Sequence, residues 1–276
     1  MRNKVIAVLR DSRYCPKGIG IDNAILEAVA ECIKVDRFID EARLSPNDLA
    51  STDTLVLSMG RLPSTLSLLK SFQASGGKVV NTPDAVEICT RRTRLRQIMK
   101  ACGVALPSEQ GAVSWWLKRG DNGAHGPHDV VFCRDARRLL EVQKAFQERG
   151  ITEWVVSPHV EGVSVKFYGV GRHLFRCYTD DGQEIDADAL RLELDDLREN
   201  VMRIVDAVHI DVYGGDCIVD QSGRFYIIDF NDWPSFRFCT SDAAAAIVSL
   251  IHSFLIENRN SHPSSFIRYP ALSHEF

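Results

Sequence analysis

Gly214 to Phe236 reads GGDCIVDQSGRFYIIDFNDWPSF, and the rest of the chain is organised around this stretch. It holds two apolar runs, Cys217-Ile218-Val219 and Phe225-Tyr226-Ile227-Ile228, separated by Asp220-Gln221-Ser222-Gly223. The separator is turn chemistry: the Asp side chain starts a turn and Gly accepts positive φ. The pattern predicts a β-hairpin, with Asp216 opening the first strand and Asp229 and Asn231 ending the second. Residues two apart on a strand point to one face, so Asp229 and Asn231 do, and the hairpin folds Asp216 back to them. Three oxygen-bearing side chains with no Cys or His beside them suit a hard cation, Mg2+ or Mn2+, with nucleotide phosphates and water completing its coordination. The plain alternative is a surface hairpin whose acids cap strands and face solvent. Against it, Asp229 ends an apolar run of buried character, and a buried carboxylate needs partners.

Upstream of the hairpin, Asp195 to His209 carries Leu197, Val201, Ile204, Val205 and Val208 and predicts a helix. Downstream come Ser235-Phe236-Arg237, an Ala-rich packing helix over Asp242 to Ile256, and a polar tail with Pro263 and Pro270. At the other end of the chain, Lys4 to Leu9, Val35 to Asp40, Thr54 to Met59 and Lys78 to Asn81 are short apolar runs, read as buried parallel strands. Asp22 to Ile33 has the helical period with Asp22 as N-cap, and Ser64 caps a helix bearing Leu66, Leu69 and Phe72, ended by Gly76-Gly77. Strands alternating with helices imply crossovers and a small parallel sheet. Its strand ends are expected to face a second substrate. No Gly-x-Gly-x-x-Gly occurs, so no dinucleotide is expected.

Between these ends lie Asn81-Thr82-Pro83-Asp84-Ala85-Val86, the basic helix Arg91 to Met99, and Gly103-Val104-Ala105-Leu106-Pro107. A solvated helix face accounts for Arg91, Arg94 and Arg96 as well as a functional one does. Ser114 to Asp121 predicts a strand with Lys118 at the end of its apolar run, pointing into a cleft. Gly120 to His128, GDNGAHGPH, is a Gly-rich loop whose N–H groups can cradle phosphate. His125 and His128 within it suit loop polarity or phosphate contact. A strand at Val130 to Phe132 and an amphipathic helix over Arg134 to Arg149 follow. Val163 to Tyr168 alternates, so Ser164, Lys166 and Tyr168 share a strand face. Lys166 there is costly to bury without a negative partner. An outward-facing edge Lys is the plain alternative.

Taken together, these segments resemble the ATP-grasp superfamily, in family order and over nearly the whole chain. The hairpin is similar to the family's C-terminal metal hairpin: an Asp, a strand, a Gly turn, a strand, then Glu/Asp-x-Asn and Pro. The resemblance implies that Asp216, Asp229 and Asn231 hold Mg2+ (or Mn2+) against the phosphates of ATP. The segment from Asn81 to Pro107 is similar to the family's Asn-x-Pro-x-Ala, Asp-Lys, helix and Gly-Val-x-x-Pro, so that Arg92 takes the place of a phosphate-binding Lys. Lys118 falls at the second nucleotide Lys. Trp154 to Gly162 looks like the hinge whose backbone at Val155, Val156 and Ser157 reads adenine. Ser164 falls near the ribose, where the family often has an acid. Lys166 would face the transferred phosphoryl group. Many relatives carry an Arg two residues before the first metal Asp; here that position is Gly214, and Arg237 is the nearest replacement.

The resemblance implies an α/β (α+β overall) ATP-grasp fold with an N-terminal small parallel-sheet lobe. Its expected parts are an N-terminal lobe over residues 1–83, a basic helix and central lobe over 84–158, a C-terminal lobe over 159–257, and a tail over 258–276. It also implies an ATP- and Mg-dependent ligase that activates a small-molecule or peptide carboxylate as an acyl phosphate, like the carboxylate–amine or carboxylate–thiol ligases and the ribosomal-protein glutamate ligases; a homodimer is compatible with it. Three alternatives stay open: a kinase of the inositol-phosphate type, which needs a strongly basic acceptor pocket, a non-catalytic nucleotide-binding module, and a plain structural α/β protein in which the ordered motifs are coincidence. Composition bounds them. A net charge of −4 without a basic block gives no footprint for nucleic acid or an anionic membrane. No apolar run reaches transmembrane length and no signal peptide is found. Eight Cys without a CxxC pair predict reduced thiols in a cytoplasmic protein.

Overall fold

The computed structural model describes residues 4–15, 18–121 and 126–260. In chain order the first lobe is β1 (Lys4–Leu9), α1 (Ile19–Cys32), β2 (Arg37–Asp40), β3 (Thr54–Ser58), α2 (Pro63–Ala74) and β4 (Lys78–Val80). Its strands form a parallel sheet in the order β2-β1-β3-β4. Helices α3 (Pro83–Thr90) and α4 (Arg92–Ala101) come next, then β5 (Trp115–Arg119), β6 (Val130–Cys133), α5 (Ala136–Glu148) and β7 (Trp154–Pro158). The strands β6-β5-β7 form an antiparallel sheet. The chain closes with β8 (Val163–Val170), β9 (Leu174–Thr179), α6 (Ala187–Leu190), α7 (Leu194–Val208), β10 (Val212–Val219), β11 (Phe225–Asp232) and α8 (Thr240–Asn260). Here the sheet order is β11-β10-β8-β9, again antiparallel. The architecture is therefore mixed α/β, one parallel and two antiparallel sheets.

Several boundaries differ from the sequence reading for identifiable reasons. Helix α1 starts a turn before Asp22, capped at Gly18, so Asp22 is not the N-cap but a buried residue of the first turn. Pro63, with its φ already helical, sets the start of α2 ahead of Ser64. Helix α3 was not expected, although Thr82 caps it by accepting from the Ala85 N–H and Pro83 takes the first position. Strand β9 carries no clean alternation in the sequence, because Leu174-Phe175-Arg176-Cys177-Tyr178-Thr179 mixes burial with exposure. Both hairpin strands are longer than the apolar runs, because Gly214-Gly215 interrupts the apolar pattern of β10. These glycines are required by close packing: a Cβ on Gly215 would lie 2.3 Å from the Asp229 carbonyl oxygen and 2.4 Å from Phe167. The turn behaves as read, with Gly223 at φ +87° and the Asp220 carboxylate accepting from the Ser222 N–H.

Burial divides the molecule unevenly. One core joins the first lobe to the last: Ala7, Leu26 and Leu57 pack with Trp233, Phe236 and Ile247. Helices α3 and α4 put Ala85, Leu95 and Met99 into a second core with Phe167, Val201 and Ile227 of the C-terminal sheet and α7. The central sheet keeps a small core of its own, Leu117, Cys133, Val142, Phe146 and Ile151. Asn81 staples the first lobe to β10: its amide donates to the Val212 carbonyl at 2.6 Å and accepts from the Asp211 and Val212 N–H groups at 3.0 and 2.7 Å. Among the described residues, no helix is long and apolar enough to cross a membrane. The expected tail beyond Asn260, and residues 122–125 of the Gly-rich loop with His125, lie outside the described residues.

Candidate active site

The antiparallel register puts three charged residues in one row across the C-terminal sheet. Lys166 on β8 pairs with Asp216 on β10, and Asp216 pairs with Asp229 on β11. The Lys166 ammonium lies 2.7 Å from Asp216 Oδ1 and 3.0 Å from Asp180 Oδ1. Its negative partners are thus protein carboxylates rather than a phosphoryl group alone. Two residues along β11, the Asn231 amide donates to Asp229 Oδ2 at 3.2 Å. Asp216, Asp229 and Asn231, which the sequence brought together, share one cavity of about 280 Å3 with Lys166 and Arg92.

The electrostatics of the row fit a divalent cation. Burial, and then the neighbouring Asp229, push the Asp216 carboxyl above its usual range. Burial also works against charge on Asp229, but Arg92 and Lys118 outweigh it and hold that carboxyl low. One carboxylate is ready to ionise and its neighbour resists, a tension that a bound cation relieves. No cluster of three His, Cys, Asp or Glu side chains forms a ready-made cage among the described residues. Two carboxylates and an amide are what Mg2+ needs when phosphate oxygens and water fill the remaining positions.

This has a pH consequence. Asp216 has a folded pKa above its unfolded one, so the folded state takes up that proton more readily. Lowering pH through the raised value therefore favours folding as far as this group is concerned. The same proton would compete with a cation bound at Asp216. Mg2+-dependent nucleotide affinity is expected to weaken at a higher pH than ordinary carboxylates would give, without a parallel loss of thermal stability from this group. Paired calorimetric titration and melting across the acid range checks it; affinity that tracks melting would contradict it.

A second cavity, about 290 Å3, lies between the two antiparallel sheets and is lined by Trp116, Lys118, Ser157, Ser164, Ile218 and Ile228 among others. The Lys118 ammonium reaches across to the Ile228 carbonyl at 2.9 Å. Burial lowers its pKa, and Asp229 draws it partly back. Arg92 donates to the Arg119 carbonyl at 3.5 Å and lines the adjoining space with Lys118, Val155, Ser157 and Asp229. Strand β7 is an edge strand, so alternate backbone groups of Val155, Val156 and Ser157 have no strand beside them. The Val156 side chain itself packs against the central core. Ser164 bonds Asp180, which stands beside Lys166; this carboxyl is held low despite partial burial.

Arg237 is not brought to this group. It is exposed, its guanidinium lies 4.3 Å from the centre of the Phe238 ring, and it donates to the Asp180 carbonyl at 3.3 Å. The cavity takes its other guanidinium groups from the first lobe. Arg10, at the end of β1, and Arg61, just past β3, both bind Asp232: Arg10 Nη2 at 3.1 Å from Oδ2, Arg61 Nη2 at 2.5 Å from Oδ1. Glu41 orders these strand ends by accepting from the N–H groups of Asp11, Arg61 and Leu62. Asp22 and Ser235 also line the cavity. None of these residues is expected at the site from the sequence; Asp22 is read there only as a helix N-cap. The available signal was the position of Arg10 and Arg61 at the C-terminal ends of parallel strands, where α/β sheets bind ligands. Arg96 turns inward with Arg92, one helical turn away, while Arg91 and Arg94 are exposed.

No protein-family model matches the chain, and no curated protein does. Solved structures do match. D-alanine–D-alanine ligase from Bacillus anthracis complexed with ATP is similar at 10% identity and a TM-score of 0.67, over 94% of this chain and 99% of that one. The RimK domain ATP-grasp protein from Sphaerobacter thermophilus is similar at 16% identity and 0.66, over 90% and 99%. The D-cycloserine synthetase DcsG is similar at 12% identity and 0.66, over 90% and 99%. The chain has the ATP-grasp fold.

Proposed function

We propose that the protein is an ATP- and Mg-dependent ligase that activates a carboxylate as its acyl phosphate for attack by an amine or another nucleophile. The observation that carries this reading is the in-register row Lys166, Asp216, Asp229, which adjoins the inter-sheet slot through Lys118 and Arg92. ATP would lie with its base in the slot, against the backbone of Val155 to Ser157 and near Ser164, and its phosphates between Lys118, Arg92 and the row. Asp216, Asp229 and Asn231 would hold Mg2+, which when bound screens γ-phosphate charge from an incoming carboxylate. Lys118 and Arg92 hold phosphate oxygens in place, and Lys166, steadied by Asp216 and Asp180, faces the transferred group. A carboxylate oxygen attacks the γ-phosphorus, the bond to the β–γ bridging oxygen breaks, and ADP leaves with that electron pair. The nucleophile then adds to the acyl carbon, gives up its proton, and inorganic phosphate departs.

The charge of the cavity favours a carboxylate acceptor over a polyphosphorylated one. Four cations, Arg10, Arg61, Arg92 and Lys166, face four carboxylates, Asp22, Asp216, Asp229 and Asp232. An inositol-phosphate acceptor needs a surplus of cations. Hydroxylamine separates the two activities: it traps an acyl phosphate as a hydroxamate and leaves a phosphate ester untouched. A stable phosphorylated alcohol as product would overturn the ligase reading, and nucleotide binding without turnover on any acceptor would favour a binding module. The eight free thiols support a cytoplasmic location.

The nucleotide assignment has its own test. Removing a charge-assisted hydrogen bond costs about 1.5–3 kcal/mol, so Lys118→Ala is expected to weaken ATP binding at least tenfold by titration. Unchanged affinity would remove Lys118 from the nucleotide site.

A further inference from the structure

Lys166 has one carboxylate more than its charge requires. Its ammonium bridges Asp216 Oδ1 at 2.7 Å and Asp180 Oδ1 at 3.0 Å. Asp216 alone would balance it. Asp180 instead adds to the negative charge that Asp229 already presses on Asp216, an arrangement that stays unfavourable until a cation arrives. The surplus carboxylate comes from just past the end of β9. The register pairs Lys166 with Tyr178 and Val165 with Thr179, so Asp180 falls opposite Ser164. Ser164 hydrogen-bonds the Asp180 carboxylate. Ser164 lines the inter-sheet slot and Lys166 lines the metal cavity. Asp180 thus holds two side chains of one β8 face, one from each space, and itself lines neither.

The turn that carries Asp180 is closely braced. The Thr179 N–H donates to the Gln183 carbonyl at 2.9 Å, and the Gly182 N–H to the Thr179 carbonyl at 3.0 Å. Gly182 sits at φ +90°, and a Cβ on it would lie 2.4 Å from the Phe238 ring. The Arg237 guanidinium lies 4.3 Å from the centre of that same ring and donates to the Asp180 carbonyl at 3.3 Å. Arg237, outside the cavity, therefore fixes the residue that holds Lys166.

A cation bound at Asp216 would share that carboxylate with the Lys166 ammonium, and like charges this close disfavour one another. Asp180 is then the ammonium's remaining partner. We propose that Asp180 is the positioning residue for Lys166: a cation at Asp216 displaces the ammonium, and Asp180 retains it beside Ser164, where it faces the transferred phosphoryl group. The proposal deepens the ligase reading and rests on it. Without Asp180 the ammonium stays on Asp216 and opposes the cation.

The test is a double-mutant cycle over Asp180 and Lys166 in the full chain. It reads Mn2+ binding in the presence of ADP, by loss of the free-ion EPR signal. ADP lacks the transferred group, so a lost contact between Lys166 and that group does not enter. Asp180→Asn is expected to weaken Mn2+ binding about fivefold or more. Lys166→Met is expected not to weaken it. In the Lys166→Met background, Asp180→Asn is expected to change little, because its effect passes through the ammonium. A carboxylate that simply attracts cations would weaken binding equally in both backgrounds. That result would overturn the proposal, as would wild-type affinity in Asp180→Asn. Asp180→Ser, a second uncharged side chain, repeats the cycle should the Asn variant not fold. The cycle needs no acceptor. If Mn2+ binds but no acid yields a hydroxamate, the ligase reading fails and the cycle still decides Asp180. Absence of Mn2+ binding in the wild type would overturn the metal assignment and this proposal together.

Discussion

Asp229→Asn is expected to abolish Mg2+-dependent ATP turnover while the protein stays folded. The substitution keeps shape and hydrogen-bonding capacity but removes one of the two carboxylates of the row. Metal-centred charge stabilisation is worth several kcal/mol, which corresponds to roughly 10³-fold or more in rate. The fold should survive because Asp229 is not one of the buried clamps between lobes; its carboxylate accepts from the Phe230 N–H at 3.1 Å and the Asn231 amide at 3.2 Å. A second signature accompanies the loss. Asp229 is one cause of the raised Asp216 pKa, so removing its charge should let Asp216 fall toward the ordinary carboxylate range. Phosphate release at saturating Mg2+, with NMR titration of Asp216, checks both. Wild-type turnover in this variant would remove the metal assignment.

Asp232→Ala is expected to be the most damaging single change to stability, at about 3–5 kcal/mol. Asp232 is 0% exposed in its side chain and holds two guanidinium groups, Arg10 at 6% and Arg61 at 14% exposure. Burial, and then Arg61, already lower the Arg10 pKa to about 10. Deleting the carboxylate would leave two like charges facing each other in a dry place. Because the pair is buried, its contribution should change little between low and high salt, unlike that of the exposed Arg137–Glu141 pair. Denaturant unfolding of the variant at two salt concentrations is the measurement. A loss below about 1 kcal/mol would mean that this ion pair contributes no more than a surface one.

The sequence made the hairpin legible because its signals are local: a turn with Asp and Gly, two apolar runs, and polar residues at fixed spacing. The spacing of Asp216, Asp229 and Asn231 carried over into a shared cavity for the same reason, since strand alternation and hairpin register are short-range rules. The first lobe's part in the site was not legible. Arg10 and Arg61 are far from Asp232 in sequence, and only the packing of the first lobe on the last brings them together. Arg237 is near Asn231 in sequence but does not line the shared cavity; it reaches Asp180, beside Lys166. The chain turns sharply at Trp233 and Phe236, and the guanidinium ends on the outer side, over Phe238.

The uneven division of buried side chains bears on how a nucleotide enters. Helix α8 fuses the first and last lobes into one continuous interior with α1, so they have no independent way to separate. The sheet β6-β5-β7 with α5 owns a small interior and meets the rest through α4 and polar reaches such as that of Lys118 to Ile228. Few apolar contacts bind it to the larger block, which is the condition for low-cost, sub-global opening. The molecule is thus an anvil and a jaw: the row Lys166, Asp216, Asp229 is built wholly into the anvil and keeps its geometry, while in the proposed ligase the jaw would swing to admit ATP and release ADP.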